Sequence, residues 1–196
     1  GSMLSVSRIQ PHKRIDWLIK CAVKAHQVNP DISLDIYGRG NQEYVAAMRR
    51  LVEEHQAQSY IRFMGHQDVR EIYRNYEVFL TASTFETLGL SILEAISSGT
   101  AVIGLDAKYG SRLLVHSGEN GYLVKFAPSS VNEDTEKLIE GMAERILETF
   151  ADLRHLEAFH RRSYEIAQGF FLRLIEIEWK KLYLEDSKRE GSKYDL

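Results

Sequence analysis

The sequence predicts an α/β fold, a parallel sheet with helices on both faces, followed by C-terminal helices. Three observations carry this. Strand-like apolar runs and helix-periodic segments alternate strictly as far as Val124. The strand-like runs end in glycine-containing or polar loops, where ligands of such sheets bind. Beyond Pro128 only helical periodicity remains.

The first element, Leu4 to Arg8, reads as a short strand, and Ile9 to Arg14 as a loop. Ile15, Leu18, Ile19, Ala22 and Val23 recur at helical spacing, which predicts a helix over Ile15 to Val28. Asn29-Pro30-Asp31 ends it, because a proline disfavours helical geometry at the residue before it. Ile32, Leu34 and Ile36 alternate as a strand that stops at Gly38-Arg-Gly40. Tyr44, Ala47, Met48, Leu51 and Val52 mark the next helix, and Ile61 to Met64 the next strand, closed by Gly65-His66. Asp68 with Glu71 three residues on has the form of a capping box and predicts a helix through Tyr76. Two buried strands follow, Val78 to Ala82 and Ala101 to Leu105, with a helix from just after Gly89 to Ser98 between them. A short helix near Arg112 to His116, a turn at Asn120-Gly121 and a strand at Tyr122 to Val124 complete the alternation.

Ser130 and Glu133 then suggest a helix start, with Leu138, Ile139, Met142, Ala143, Ile146 and Leu147 on one apolar face. A second helix is predicted over Asp152 to Ala167. Gly169 separates it from a third, lined by Phe171, Leu174, Ile175 and Leu182 with Trp179 nearby. Gly1-Ser-Met3 reads as an expression-tag scar, and the abrupt start on a strand predicts a fragment of a longer protein. Residues 4–185 read as one domain, completed by the helices of 130–185, and 186–196 as a polar, frayed tail.

Composition narrows the function. Of 196 residues 44% are apolar and 27% charged, an ordinary globular balance. A net charge of -3 offers no electrostatic footprint for nucleic acid. Cys21 is the single cysteine, so no internal disulfide forms and a reducing, cytoplasmic compartment fits. No apolar run reaches the ~18 residues of a membrane span, and the first residues do not read as a signal peptide, so none is expected.

The stretch that organises the chain is Thr84 to Thr100. Gly89 permits a tight turn into a helix, and a helix start presents unpaired N–H groups and partial positive charge to an anion. Glu86 lies before that start and Glu94 about one turn inside it. A phosphate at the amides between them, with hydroxyls donating to each carboxylate, suits a nucleotide sugar. Arg8 and Lys13 follow the first strand and can offset a diphosphate's charge without a metal. Alone they also fit two solvated loop cations. Gly38-Arg-Gly40 lacks the third glycine of a dinucleotide fingerprint and reads as either a strand-ending turn or a ligand contact. His66 either borders a nucleobase or fills space. No histidine pair has metal-ligand spacing, so no metal site is expected.

Glu86-Thr-Leu-Gly-Leu90, then Glu94-Ala-Ile with Gly99 after it, set between two strands, resembles the signature of family 4 glycosyltransferases of the GT-B fold. Arg8-Ile-Gln-Pro-His-Lys13 matches that family's diphosphate loop, although Ser7 stands where glycine is common. Ile15-Asp-Trp-Leu-Ile19, Leu34-Asp-Ile-Tyr-Gly38, Met64-Gly-His-Gln-Asp68 and Asn120-Gly-Tyr-Leu-Val124 are similar to a narrower bacterial branch. It includes poly(glycerol-phosphate) α-glucosyltransferases and the adhesin-modifying glycosyltransferases of the accessory secretion system. Around Asp106, Lys108-Tyr-Gly-Ser-Arg112 departs from the two glycines and glutamate that many members carry.

The resemblance implies one Rossmann-like half of a GT-B enzyme, the half that binds a UDP-sugar. It implies a retaining transfer of a hexose or N-acetylhexosamine to a cell-surface acceptor, a teichoic-acid-type polymer or a serine-rich protein, without a cofactor or metal. The implied roles are Arg8 and Lys13 on the diphosphate, Glu86 at the sugar, Glu94 on the ribose, the amides of Thr87, Gly89 and Leu90 on phosphate, Gly38 in contact with the donor, and His66 near the base. The N-terminal acceptor domain is expected to be missing, and the fragment to be inactive without it. The location implied is cytoplasmic, or the inner face of the membrane through the parent protein. Two rivals are a non-catalytic partner or chaperone subunit, and a nicotinamide-binding domain.

Overall fold

The computed structural model of the chain describes residues 1–126 and 135–191, with side chains as far as residue 177. The helix start expected at Ser130 and Glu133 lies outside the described residues, as do the side chains of Trp179 and Leu182. The elements run β1 (Ser2–Val6), α1 (Ile15–Val28), β2 (Ser33–Tyr37), α2 (Gln42–Glu54), β3 (Ile61–Gly65), β4 (Val78–Thr81) and α3 (Leu90–Ser97). They continue with β5 (Ala101–Leu105), α4 (Gly110–Leu114), β6 (Gly121–Val124), α5 (Thr135–Ala151) and α6 (Leu153–Gly191). The six strands among the described residues form one sheet in the order β3-β2-β1-β4-β5-β6, and every pairing is parallel.

A parallel sheet buried on both faces needs apolar residues on both sides of its strands. Alternation delivers them here. Met3, Leu34, Ile36, Val78, Leu80, Ala101 and Ile103 face a core built with α1, α2 and α5. Leu4, Tyr37, Phe79 and Val102 face a second core with α3 and α4. The long helix α6 reaches both, with Leu156 and Phe159 in the first and Ala167 in the second. Past that point its Phe171, Leu172, Leu174, Ile175 and Ile177 are exposed.

Helix α1 has the limits its periodicity predicts. Arg14 precedes it at φ 49°, and its guanidinium lies 4.0 Å over the Trp17 ring and 2.7 Å from Asp16. Four local expectations are corrected. Strand β1 begins at Ser2 rather than Leu4, and Met3 is fully buried between Leu34 and Val78 whatever its origin. Asp68 does not cap a helix. Its carboxylate accepts the Arg70 N–H at 3.2 Å and pairs with the Arg70 guanidinium, a local turn that competes with helix formation. Only a 3-10 turn, Tyr73–Asn75, forms there. Helix α4 begins at Gly110, two residues before Arg112. Gly169 breaks nothing: α6 is continuous from Leu153 to Gly191, into the segment read as a polar tail. One interior glycine costs only about 1 kcal/mol against alanine, less than the burial of Leu156, Phe159 and Ala167 returns.

The second face also holds a buried carboxylate. Asp35, 2% exposed, accepts the Arg62 guanidinium through both oxygens at 2.7 and 2.8 Å. Tyr76 donates its hydroxyl to the same carboxylate at 2.5 Å and shares a 2.8 Å hydrogen bond with the Tyr37 hydroxyl. This network ties β2, β3 and the 3-10 turn together. In urea titrations Asp35→Ala is expected to lower the unfolding free energy by about 3 kcal/mol, because it strips bonds to a charged acceptor inside the fold. A loss under about 1 kcal/mol would show that the network contributes little.

Candidate functional site

Strands β1 and β4 are neighbours, with Met3 opposite Val78 and Leu4 opposite Phe79. From β1 the chain crosses over to β2 on one side, and from β4 to β5 on the other. Their exit loops therefore part, which leaves a crevice at the carboxyl ends of the two strands. Arg8, Lys13, Glu86, Thr87 and Gly89 come from those two loops, Leu90 and Glu94 from α3, and Gly38 and His66 from the ends of β2 and β3.

The loop after β1 makes one 3-10 turn, Pro11–Lys13. The Thr84 N–H donates to the His12 carbonyl at 3.2 Å, fastening this turn to the loop after β4. Across the join, Lys13 Nζ donates to Glu86 Oε1 at 2.5 Å and to Ser83 Oγ at 3.2 Å. The Lys13 and Glu86 side chains are only 15% and 13% exposed. Each is thus the main compensation for the other's charge in a partly desolvated place.

Arg8 is exposed and lines a cleft of about 280 Å³ together with Gly38, His66, Tyr37 and Gln67. The glycines opposite it have a packing reason. A Cβ on Gly38, at φ +141°, would lie 1.8 Å from the Ser7 carbonyl oxygen, and one on Gly40 would lie 2.0 Å from that of Ile9. Ser7 N–H donates to the Tyr37 carbonyl at 3.1 Å and Ile9 N–H to that of Arg39 at 2.9 Å. The two loops are zipped together on either side of Arg8. The His12 imidazole has its pKa held below the ordinary value, first by burial, then by the charges of Lys13 and Arg8, with Glu86 acting the other way. These four residues share one electrostatic neighbourhood.

Gly89 enters α3 at φ 74°, the left-handed geometry that glycine adopts without strain, and no side chain caps the helix. Thr87 and Leu90 are exposed at its start. The loop after β5 braces this turn. Glu86 N–H donates to the Lys108 carbonyl at 3.2 Å, and the N–H groups of Tyr109 and Gly110 donate to the Glu86 carbonyl at 2.8 and 2.9 Å. A Cβ on Gly110 would lie 2.4 Å from the Leu88 carbonyl carbon and 2.8 Å from the Gly89 nitrogen. Glu94 projects from the second turn of α3, and its Oε2 accepts the Tyr73 hydroxyl at 2.8 Å.

The structure thus joins Lys13 to Glu86, sets Arg8, Gly38 and His66 on one adjoining cleft, and gives Glu94 a separate partner. Asp106 is engaged by Arg112, whose Nε lies 2.5 Å from its Oδ1. Sequence reasoning missed Ser83, Tyr73 and Gly110. Nothing in the pattern marks Ser83 or the Tyr73 hydroxyl, since both partners are distant in sequence. Gly110, the first residue of the short helix α4, is a glycine whose close backbone approach the sequence reading did not use.

Comparison with known proteins places the chain among glycosyltransferases. The UDP-N-acetylglucosamine–peptide N-acetylglucosaminyltransferase GtfA subunit of Streptococcus pneumoniae serotype 4 is 40% identical over 180 residues, covering 92% of this chain and 35% of its own length. A poly(ribitol-phosphate) alpha-N-acetylglucosaminyltransferase of Staphylococcus aureus is 26% identical over 136 residues, covering 69% of this chain and 27% of its own. The crystal structure of the pneumococcal O-GlcNAc transferase GtfA in complex with UDP and GlcNAc superposes with a TM-score of 0.84 and 38% identity over 94% of this chain and 35% of that one. The chain spans about a third of the length of the GtfA relatives. The family described as glycosyl transferases group 1 matches residues 2–151, and on that match the chain belongs to the group 1 glycosyltransferases, built as a Rossmann-like unit of the GT-B type.

Proposed function

We propose that this chain is the donor-binding domain of a retaining glycosyltransferase that uses a UDP-sugar. The observation that carries the reading is the Lys13–Glu86 pair, facing across the crevice between β1 and β4 beside the uncapped start of α3. Before a donor arrives, the pair keeps both charges compensated. A diphosphate entering the crevice offers Lys13 a second, doubly charged partner, which frees Glu86 to accept hydroxyls of the sugar. Arg8 approaches the diphosphate from the cleft it shares with His66, and the amides of Thr87, Gly89 and Leu90 meet a phosphate at the helix start. As the bond to the sugar breaks, negative charge grows on the departing UDP, and these cations and amides are already oriented towards it. They supply the positive charge a metal would otherwise bring. Glu94 takes the ribose hydroxyls.

The names of the GtfA relatives support N-acetylglucosamine as the sugar and, of the two acceptors the sequence leaves open, a protein, whereas the less similar Staphylococcus aureus relative is named for a polymer. A structure that superposes with a TM-score of 0.83 is described as a GtfA/B complex, which supports a partner subunit for the parent protein. Transfer requires an acceptor-binding domain beyond this chain, acting in the cytoplasm or at the inner face of the membrane. The isolated domain binds UDP and transfers nothing.

Titration calorimetry with UDP, UDP-N-acetylglucosamine, ADP-glucose and NAD tests the reading. The two uridine nucleotides are expected to bind, and Arg8→Ala, Lys13→Ala and Glu94→Gln each to weaken UDP by at least about tenfold, the loss of one charge-assisted contact. Binding of NAD alone, or undiminished UDP affinity in all three variants, refutes it. The charge cluster has its own readout. In an NMR titration His12 is expected to lose its proton below the ordinary histidine pKa, and Lys13→Ala and Arg8→Ala to raise that pKa by removing neighbouring positive charge. Since folding lowers the pKa, the neutral imidazole favours the fold, and this stability, complete above the ordinary value, declines as pH falls towards the lowered one.

A further inference from the structure

We propose that Tyr73 is the positioning residue for Glu94: its phenol holds one carboxylate oxygen and leaves the other turned to the ribose hydroxyls of the donor. The inference rests on the donor-site reading above and adds a residue which that reading does not contain.

Tyr73 sits in the 3-10 turn before β4 and is 1% exposed. Its ring lies tilted against Phe79 at 6.0 Å between centroids, and its carbonyl accepts the Thr100 hydroxyl at 3.3 Å. The ring is therefore fixed by the second core and by the turn preceding β5. A pocket this apolar would accept phenylalanine equally well, and a buried hydroxyl is unfavourable unless it is bonded. The partner the hydroxyl has is Glu94 Oε2, at 2.8 Å. Burial, and then the negative charge of Glu94, push the phenol pKa upwards, so Tyr73 stays a donor throughout the physiological range.

Glu94 itself stands between buried Leu93 and Ala95 on α3 and is exposed. An exposed glutamate samples several rotamers, and freezing them on binding opposes affinity. Oε2 is tied to the core, while no hydrogen bond to Oε1 is found among the described residues. A vicinal diol meeting this carboxylate finds it already oriented. The consequence is specific to the sugar ring of the nucleotide and leaves phosphate and base recognition alone.

The test is calorimetry on the 196-residue chain with UDP and with 2′,3′-dideoxy-UDP, for the wild type, Tyr73→Phe and Glu94→Gln. The wild type is expected to prefer UDP. Tyr73→Phe is expected to weaken UDP about tenfold and leave the dideoxy nucleotide unchanged, with Tm shifted by only a few degrees. Should Tyr73→Phe keep the wild-type ratio of the two affinities while Glu94→Gln abolishes it, the positioning role is wrong and the donor site stands. Should Glu94→Gln change nothing and the wild type not distinguish the nucleotides, the donor-site reading fails and this inference with it. If Tyr73→Phe does not fold, the wild-type protein still decides. The NMR signal of the buried Tyr73 ring must shift on adding UDP and stay put with dideoxy-UDP; an equal response to both overturns the proposal.

Discussion

The adjacency of β1 and β4 is the constraint on which the rest of the molecule depends. Two parallel strands whose crossovers leave in opposite directions cannot keep their exit loops together, and the opened space collects Lys13 from one loop and Glu86 from the other. A pair at 2.5 Å with both side chains about one-seventh exposed requires loops held to within fractions of an ångström. That precision comes from backbone contacts that allow no side chain. Gly38 and Gly40 press on Ser7 and Ile9 from the β2 side, and Gly110 presses on Leu88 and Gly89 from the β5 side. The bond from Thr84 to His12 closes the gap between them.

The same arrangement explains why the site is polar and the sheet is not. Strand residues alternate between two apolar cores and leave the carboxyl ends free to carry charge. The buried charge within the strands is Asp35, and it is satisfied three times over, by both bonds from Arg62 and one from Tyr76. A buried carboxylate so fully partnered is a structural tie, whereas Glu86 and Glu94 each keep a solvent-facing side. The difference between a structural and a candidate functional acid lies in that residual accessibility.

Much of the fold is legible in order along the chain. The apolar spacing from Ile15 to Val23 marks α1 to its ends, and Ala101 to Leu105 marks β5, since both signals are local. The failures are equally physical. Asp68 and Glu71 have the spacing of a capping box, yet Arg70 between them captures the aspartate and a turn results. Gly169 looks like a break, but α6 is held by what it packs on, and one missing side chain does not outweigh that burial. A single residue's propensity is a weak signal beside tertiary contact.

By itself, the sequence determined the alternation of strands and helices, the glycine turn into α3 and the eight-residue interval between Glu86 and Glu94, because these depend only on neighbours in the chain. The tertiary structure alone decided that Lys13 meets a carboxylate 73 residues away and that Tyr73 meets one 21 residues away. Such pairings follow from strand order and crossover direction, which set distances in space that intervals along the chain do not encode.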